Sequence, residues 1–277
     1  MSASLVGQNA FITGGGSGIG LACAKAFARD GAHVTLFGRS RERLEHGAAE
    51  VRAAAATGVR VRIVCGDVAL EKDVADGVAG ALDAGPLTIA VANAGTGGLG
   101  PIIATEEGQW SKIIDTNLSG TFYTFKHAGR AIARAGGGAM CAISSIAGAR
   151  THRFMGPYCV SKAGVDALVR NTADELGIAN IRVNSVLPGL VDTDLSAGLL
   201  NTEAVVTDYL ACMPIRRTGK VQDIAEAVRF LCGPESTWIT GVNLSVDGGH
   251  HLRRGPDVET FSRMLFGDDL TEGRPNP

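Results

Sequence analysis

A short apolar stretch, Asn9 to Thr13, runs into Gly14-Gly15-Gly16-Ser17-Gly18-Ile19-Gly20 and then into a helical pattern from about Gly18 to Arg29. No other feature of the chain constrains its fold as much. Glycine reaches backbone conformations that other residues avoid, so such a run makes a tight turn that another backbone or a ligand can approach closely. The helix behind it offers free N–H groups and the positive end of its dipole, a setting suited to a pyrophosphate. The spacing is G-x-x-x-G-x-G rather than G-x-G-x-x-G, and no Gly-Lys-Ser/Thr follows to make a P-loop.

The alternation of strand and helix then continues to the last strand. Strands are predicted over His33–Phe37, Arg60–Cys65, Leu87–Asn93, Ala139–Ser144, Ile181–Leu187 and Val242–Val246. Helices are predicted over Arg41–Ala56, Asp73–Ala84, Trp110–Arg134, Tyr158–Ile178 and Asp223–Cys232. Short apolar strands alternating with helices imply right-handed crossovers and a parallel sheet covered on both faces. The expected fold is α/β: a single-domain, doubly wound parallel sheet (a Rossmann fold) of about seven strands over residues 1–249. Residues 250–277, with Arg253-Arg254, Pro256, Asp268-Asp269 and Pro275, continue no such pattern and read as a C-terminal extension.

Charge and composition exclude other classes. The 277 residues carry a net charge of −2, which argues against a bulk electrostatic grip on nucleic acid or anionic lipid. No basic stripe or aromatic platform marks a nucleic-acid module, and no apolar run is long enough to span a membrane. Glycine, at 38 residues, is about twice as frequent as usual, with no G-X-Y period. The first basic residue is Lys25, so the start lacks the charged region of a secretory signal. Cys23, Cys65, Cys141, Cys159, Cys212 and Cys232 show no C-x-x-C and no His at metal-ligand spacing. They read as reduced thiols of a cytoplasmic protein, with no metal site.

The second strand ends in Phe37-Gly38-Arg39-Ser40. An NAD enzyme would place an acid here for the ribose 2′-hydroxyls; Gly38 leaves space, and Arg39, with Ser40 and Arg43, can bond a 2′-phosphate. NADP(H) is therefore preferred over NAD(H). Tyr158 and Lys162 lie at i and i+4 near a helix start, on one face. An unperturbed phenol has a pKa of about 10, and bringing it to about 7 takes about 4 kcal/mol, toward which a neighbouring ammonium contributes. Ser145, just past the fifth strand, would stand at the carboxyl edge of the sheet, where such folds bind ligands. A Ser hydroxyl and a Tyr proton converging on one oxygen would polarise a carbonyl for hydride attack.

Taken together these residues resemble the short-chain dehydrogenase/reductase family. Thr13-Gly14-x-x-x-Gly18-x-Gly20 is similar to its nucleotide turn, and Asn93-Ala94-Gly95 to most of its Asn-Asn-Ala-Gly element, with Ala92 in place of the first Asn. Asn117, Ser145, Tyr158 and Lys162 match its catalytic positions; Pro188-Gly189 and Thr193 match the segment over the nicotinamide; Gly241 and Val246 to Gly249 match its last strand and turn. The resemblance covers about residues 7–249. It implies that Asn117 anchors a water relaying protons to Lys162, that Ser145 holds the substrate oxygen and that Tyr158 is the acid/base. It also implies that Lys162 lowers the Tyr158 pKa and bonds the nicotinamide ribose. Gly14, Gly16, Ser17, Gly18, Ile19 and Gly20 would hold the pyrophosphate side. Gly38, Arg39 and Ser40 would hold the adenosine ribose, Asp67 and Val68 the adenine, and Asn93, Ala94 and Gly95 the path between. Pro188, Gly189, Val191 and Thr193 would hold the carboxamide. A helix N-cap is a second reading of Asp67.

The reaction expected is the interconversion of a secondary alcohol and a ketone by direct hydride transfer, in a homotetramer packed through the two long helices. The same chemistry with NAD(H), and a catalytically silent nucleotide-sensing regulator, are the alternatives. Thr96–Pro101, Ala147–Pro157 and Leu190–Arg217 should line a small-molecule pocket and its lid, with Phe154, Met155 and Leu195 as an apolar wall. Arg150, His152 and Arg153 either meet an acidic substrate or are solvated loop charges. The C-terminal extension is expected to cover a neighbouring subunit or its active-site mouth. Steroid, sugar-derived, acyl-thioester and xenobiotic carbonyls all remain open as substrates.

Overall fold

The inner strands of the sheet are buried on both faces because apolar residues dominate both sides of each, whereas the two outermost are half-buried. On β1 (Asn9–Thr13), Phe11 and Ile12 point to opposite sides of the sheet, and both are fully buried. A computed structural model describes residues 4–254 and 257–274 of the chain. The order runs α1 (Gly18–Arg29), β2 (His33–Gly38), α2 (Arg41–Ala54), β3 (Val61–Cys65), α3 (Glu71–Ala81), β4 (Ile89–Ala92), α4 (Glu107–Ile114) and α5 (Gly120–Arg134). It continues β5 (Gly138–Ile143), α6 (Ile146–Ala149), α7 (Gly156–Leu176), β6 (Ile181–Pro188), α8 (Ala197–Leu200), α9 (Glu203–Cys212), α10 (Val221–Cys232), β7 (Asn243–Val246) and α11 (Glu259–Thr271).

The seven strands form one parallel sheet in the order β3-β2-β1-β4-β5-β6-β7. The chain leaves β1 toward β2 and β3, then returns to the other side of β1 as β4. The carboxyl ends of β1 and β4 thus flank the switch point, where ligands of open α/β sheets bind. On one face Ile12, Phe27, Leu36, Ile224 and Val228 pack beneath α1 and α10. On the other, Phe11, Phe37, Val78, Phe125, Ile132 and Val165 pack beneath α3, α5 and α7. Burial of each such side chain contributes about 1.5–3 kcal/mol.

Three features differ from the sequence reading. The helix expected over Trp110–Arg134 starts at Glu107 and is interrupted by a π-turn, Asp115–Ser119, in its middle. The lid contains two helices, α8 and α9; the buried stripe of α9, Val205, Tyr209 and Cys212, is too short for periodicity to signal strongly. The tail is also more ordered than its pattern suggests. It carries a 3₁₀ turn, His250–Leu252, and α11, which kinks at Gly267 (φ 79°), so no single amphipathic period runs through it. Pro256 and Pro275 lie outside the described residues. Among the described residues no helix is long and apolar enough to cross a membrane.

Candidate active site

The glycine turn closes on itself and on the end of β4. Gly14 and Gly18 take positive φ, 63° and 53°. A Cβ on Gly20 would fall 2.4 Å from Gly14 O and 2.5 Å from Asn93 Nδ2. Asn93 Nδ2 donates to Thr13 O (2.9 Å) and Gly14 O (3.2 Å), while Thr13 Oγ1 accepts from the backbone amides of Asn93 (3.0 Å) and Ala94 (3.1 Å). Thr13 and Asn93 thereby lock β1 to β4 at the switch point. A Cβ on Gly16 would lie 3.1 Å from the Arg43 backbone, so that glycine lets α2 pack against the turn. Ser17 precedes α1 in extended conformation without capping it through its side chain, and no acid lies in the first turn. The first amides of α1, from Gly18, Ile19 and Gly20, therefore have no side-chain acceptor, the arrangement a pyrophosphate needs.

At the end of β2, the nearest atom to a Cβ on Gly38 would be Leu44 Cδ2 at 3.6 Å, so the position is open. The exposed Arg39 lies with Nη1 3.7 Å from Asp67 Oδ2. Ser40 caps α2, its Oγ accepting from Arg43 N (3.3 Å). Asp67 does not cap α3, whose N-cap is Leu70; its Oδ1 accepts from Ala69 N (3.0 Å) and holds a tight turn instead. Val68 is buried against Gly120 on α5. From the other side, the chain leaving β6 at Pro188 and Gly189 arches back over the glycines. Val191 bridges to Gly219, and Thr193 Cγ2 would lie 3.6 Å from a Cβ on Gly18. Thr193 caps the following 3₁₀ turn reciprocally with Ser196.

Tyr158, Lys162 and Ser145 meet at the same rim. Lys162 Nζ lies 5.7 Å from the Tyr158 ring centroid and donates to Ile143 O, at the end of β5 (2.8 Å). Ser145 stands at the N-terminus of α6, its Oγ accepting from Ala147 N (3.1 Å) and also bonded to the Tyr158 hydroxyl. Burial pushes the Tyr158 pKa up, and the Ser145 bond pulls it back. Burial holds Lys162 down at about 8, against the upward pull of Asp166, so the ammonium stays mostly charged at neutral pH. In the protein alone the phenol is thus raised, not acidified: burial is the largest influence, the lowering comes from Ser145, and the Lys162 ammonium is held by Ile143 O.

Asn117 sits inside the π-turn and is wholly buried. Its Nδ2 donates to Thr96 O (2.9 Å) and Ser161 Oγ (3.0 Å), and its Oδ1 accepts from Thr96 N (2.8 Å). A Cβ on Gly95 would lie 3.4 Å from Asn117 Oδ1 and 3.6 Å from Lys162 Nζ, so Gly95, Asn117 and Lys162 converge. The sequence reading did not single out Thr13, Ser161, Tyr209 or His250 as site residues. Thr13 was visible as part of the glycine motif. Ser161 shares the first turns of α7 with Tyr158, and its Oγ, bonded to Tyr158 O (2.8 Å), receives Asn117. Tyr209 and His250 carry no local signal; folding brings their rings together at 5.6 Å, with His152 6.1 Å from His250.

A nucleotide turn and an ammonium–phenol–hydroxyl cluster, with the ammonium and the serine buried and the phenol half-buried, at one rim of a doubly wound sheet define a dinucleotide-dependent oxidoreductase. Comparison with known proteins gives the particular family. Residues 14–251 match a family model described as enoyl-(acyl carrier protein) reductase. The chain is 35% identical over 250 residues to a 3-oxoacyl acyl-carrier-protein reductase of Chlamydia muridarum, covering 90% of this chain and 99% of that one. It is 34% identical over 248 residues to the L-tagatose-forming galactitol 2-dehydrogenase of Cereibacter sphaeroides, covering 89% and 96%. A solved short-chain dehydrogenase/reductase from Mycobacterium ulcerans superposes with a TM-score of 0.94 at 38% identity, over 98% of this chain and 99% of that one. The chain belongs to the short-chain dehydrogenase/reductase family and is an enzyme acting on CH–OH or C=O groups with NAD(P).

Proposed function

We propose that the protein interconverts a secondary alcohol and a ketone using NADP(H), with Tyr158 as the acid/base. One observation carries this reading: the Tyr158 hydroxyl, bonded to Ser145 and flanked by Lys162, stands at the same sheet rim as the glycine turn. A bound nicotinamide would supply or accept the hydride at the reacting carbon. Ser145 holds the substrate oxygen and Tyr158 gives that oxygen its proton in reduction, or takes it in oxidation. Lys162 keeps a positive charge beside the phenol and bonds the nicotinamide ribose; Asn117 anchors the path by which a proton reaches it. Gly14, Gly16, Ser17, Gly18, Ile19 and Gly20 bind the pyrophosphate side. Asp67 and Val68 face the adenine, Asn93, Ala94 and Gly95 the path between, and Pro188, Gly189, Val191 and Thr193 the carboxamide.

The preference for NADP(H) rests on the open space at Gly38 and the cation at Arg39, which Asp67 steadies from across the same pocket. Fluorescence titration with NADPH and NADH tests it. NADPH should bind at least tenfold more tightly, and Arg39→Asp should invert the order; equal affinities, or no change in the variant, would assign the site to NAD(H). Six free cysteines support a cytoplasmic protein. Trp110, Phe122 and Val160, exposed on α4, α5 and α7, support a homotetramer packed through the long helices.

A further inference from the structure

Three loops meet near Tyr158: Thr96 is held by Asn117, Gly100 N donates to Phe154 O, and Tyr209 of the lid, residues 190–217, lies close enough to Tyr158 for the two to interact. The end of the same chain packs onto these loops. Arg253 Nη1 donates to Ala211 O (3.0 Å) at the end of α9. Arg254 Nη1 bonds Asp208 Oδ2 (3.0 Å), and Asp257 N donates to the same carboxylate oxygen (2.6 Å). Val258 is buried in one small apolar cluster with Leu190, Val205, Tyr209 and Met213, against which Leu99, Phe154 and Phe261 pack. Glu259, at the start of α11, pairs with Arg153. Phe266 lies over Gly100, where a Cβ would come within 2.9 Å of its ring. From the opposite side Arg150 donates to His250 O (3.2 Å) and His251 O.

This clasp also settles the charge of the cleft. Arg150 and Arg153 were the residues that could greet an acidic substrate. Arg150 is bound to carbonyls of the tail, and Arg153 is held by Glu259 and stacks on the Phe154 ring, 4.5 Å from its centroid. His152 and His250 are buried, and burial lowers the pKa of both, so both are neutral at pH 7. The two imidazoles and Tyr209 stand together, with Tyr209 close to Tyr158. The Phe154 backbone is bent to a positive φ (68°) and secured by Gly100 N donating to Phe154 O (2.7 Å), which presents that ring to the cluster beneath the tail.

We infer that residues 250–254 and 257–271 form a further wall of the substrate cleft of their own subunit, and that the cleft takes a neutral, predominantly apolar ketone or secondary alcohol in preference to an anionic one. This rests on the Tyr158-centred reading above. An anion entering here finds Arg153 already paired with Glu259 and Arg150 held by the tail carbonyls, beside apolar side chains, and loses hydration with less charge to replace it.

The test is reduction, with NADPH, of matched ketone pairs that differ in one charge, such as 4-methylcyclohexanone and 4-oxocyclohexanecarboxylate. In the wild type kcat/KM should favour the neutral member at least tenfold, chiefly through KM. Glu259→Gln releases Arg153, so the KM of the carboxylate should fall about tenfold. Arg153→Gln in the Glu259→Gln background should restore the original ratio, which a merely structural role for Glu259 would not do. Val258→Ala should raise the KM of the neutral ketone about tenfold with kcat within twofold. NADPH affinity within twofold of wild type shows that each variant is folded. A wild type that prefers the carboxylate, or a ratio unmoved by Glu259→Gln, would overturn the inference and leave the Tyr158 reading standing. Bound NADPH with no turnover of any ketone would instead remove the Tyr158 reading, and the inference with it.

Discussion

On one side of Tyr158 the chain meets itself through backbone; on the other it meets itself through long side chains. The glycine turn, β1 and β4 are joined by contacts that leave no room for even one extra methyl, as at Gly20, and by the short side chains of Thr13 and Asn93. The tail is joined to the lid by Arg253 and Arg254, to the 150–155 loop by Arg150 and Arg153, and to both by an apolar cluster separate from the two that cover the sheet. Backbone contact tolerates almost no variation in residue or distance. Paired side chains on loops can be exchanged at little cost in stability. A common nucleotide and a varied set of substrates are what such a division suits.

The comparison can be broken at four points. Tyr158→Phe, at the seam, should lower kcat/KM about 10³-fold, with NADPH affinity within twofold in a fluorescence titration. Loss of nucleotide binding would instead give Tyr158 a structural role. On the backbone side, Gly20→Ala should destabilise the protein by about 2–3 kcal/mol in urea unfolding and weaken NADPH binding, because both atoms its methyl would strike belong to the locked β1–β4 junction.

Acid should separate the halves. His152 and His250 have folded pKa values below their unfolded value of about 6.5, chiefly through burial. Below that value the unfolded chain takes up protons that the folded one refuses, so stability is lost as pH falls through about 6.5 and below. The Arg150 guanidinium adds to the lowering at both imidazoles, while the Arg150 carbonyl opposes it at His152 and Asp247 and Asp208 oppose it at His250. Hydrogen exchange at pH 5.5, corrected for intrinsic rates against pH 7.5, should show loss of protection in residues 150–155, 203–213, 250–254 and 257–271. Residues 9–29 should keep theirs; a uniform loss would mean that the two halves do not open separately. The smallest effect belongs to Asp208→Asn, which weakens a partly exposed pair. It should cost about 1 kcal/mol or less in the same unfolding experiment and leave NADPH affinity unchanged.

The parallel sheet was legible because its signals are local. Apolar runs such as Ile89–Ala92 and the glycine turn each lie within a few residues, and the structure places every predicted strand within a residue or two. Tyr158 and Lys162 were legible for the same reason, being one helical turn apart. The π-turn was not, since the periodicity of Trp110–Arg134 survives it; what holds that turn open is Asn117 clasping Thr96 from both sides, a contact across the fold. The ordered tail was missed because α11 is short, kinked at Gly267 and pinned by residues far away in the chain.

The sequence by itself determined the order of strands and helices, the conformation of the glycine turn and the face shared by Tyr158 and Lys162, because each follows from residues within one or two turns of one another. The tertiary structure alone decided that burial is the largest influence on the Tyr158 phenol, that Arg150 and Arg153 are already engaged, and that His250 rests beside Tyr209. Those outcomes depend on burial and on partners a hundred or more residues apart for the two arginines, and neither quantity is written in any local pattern.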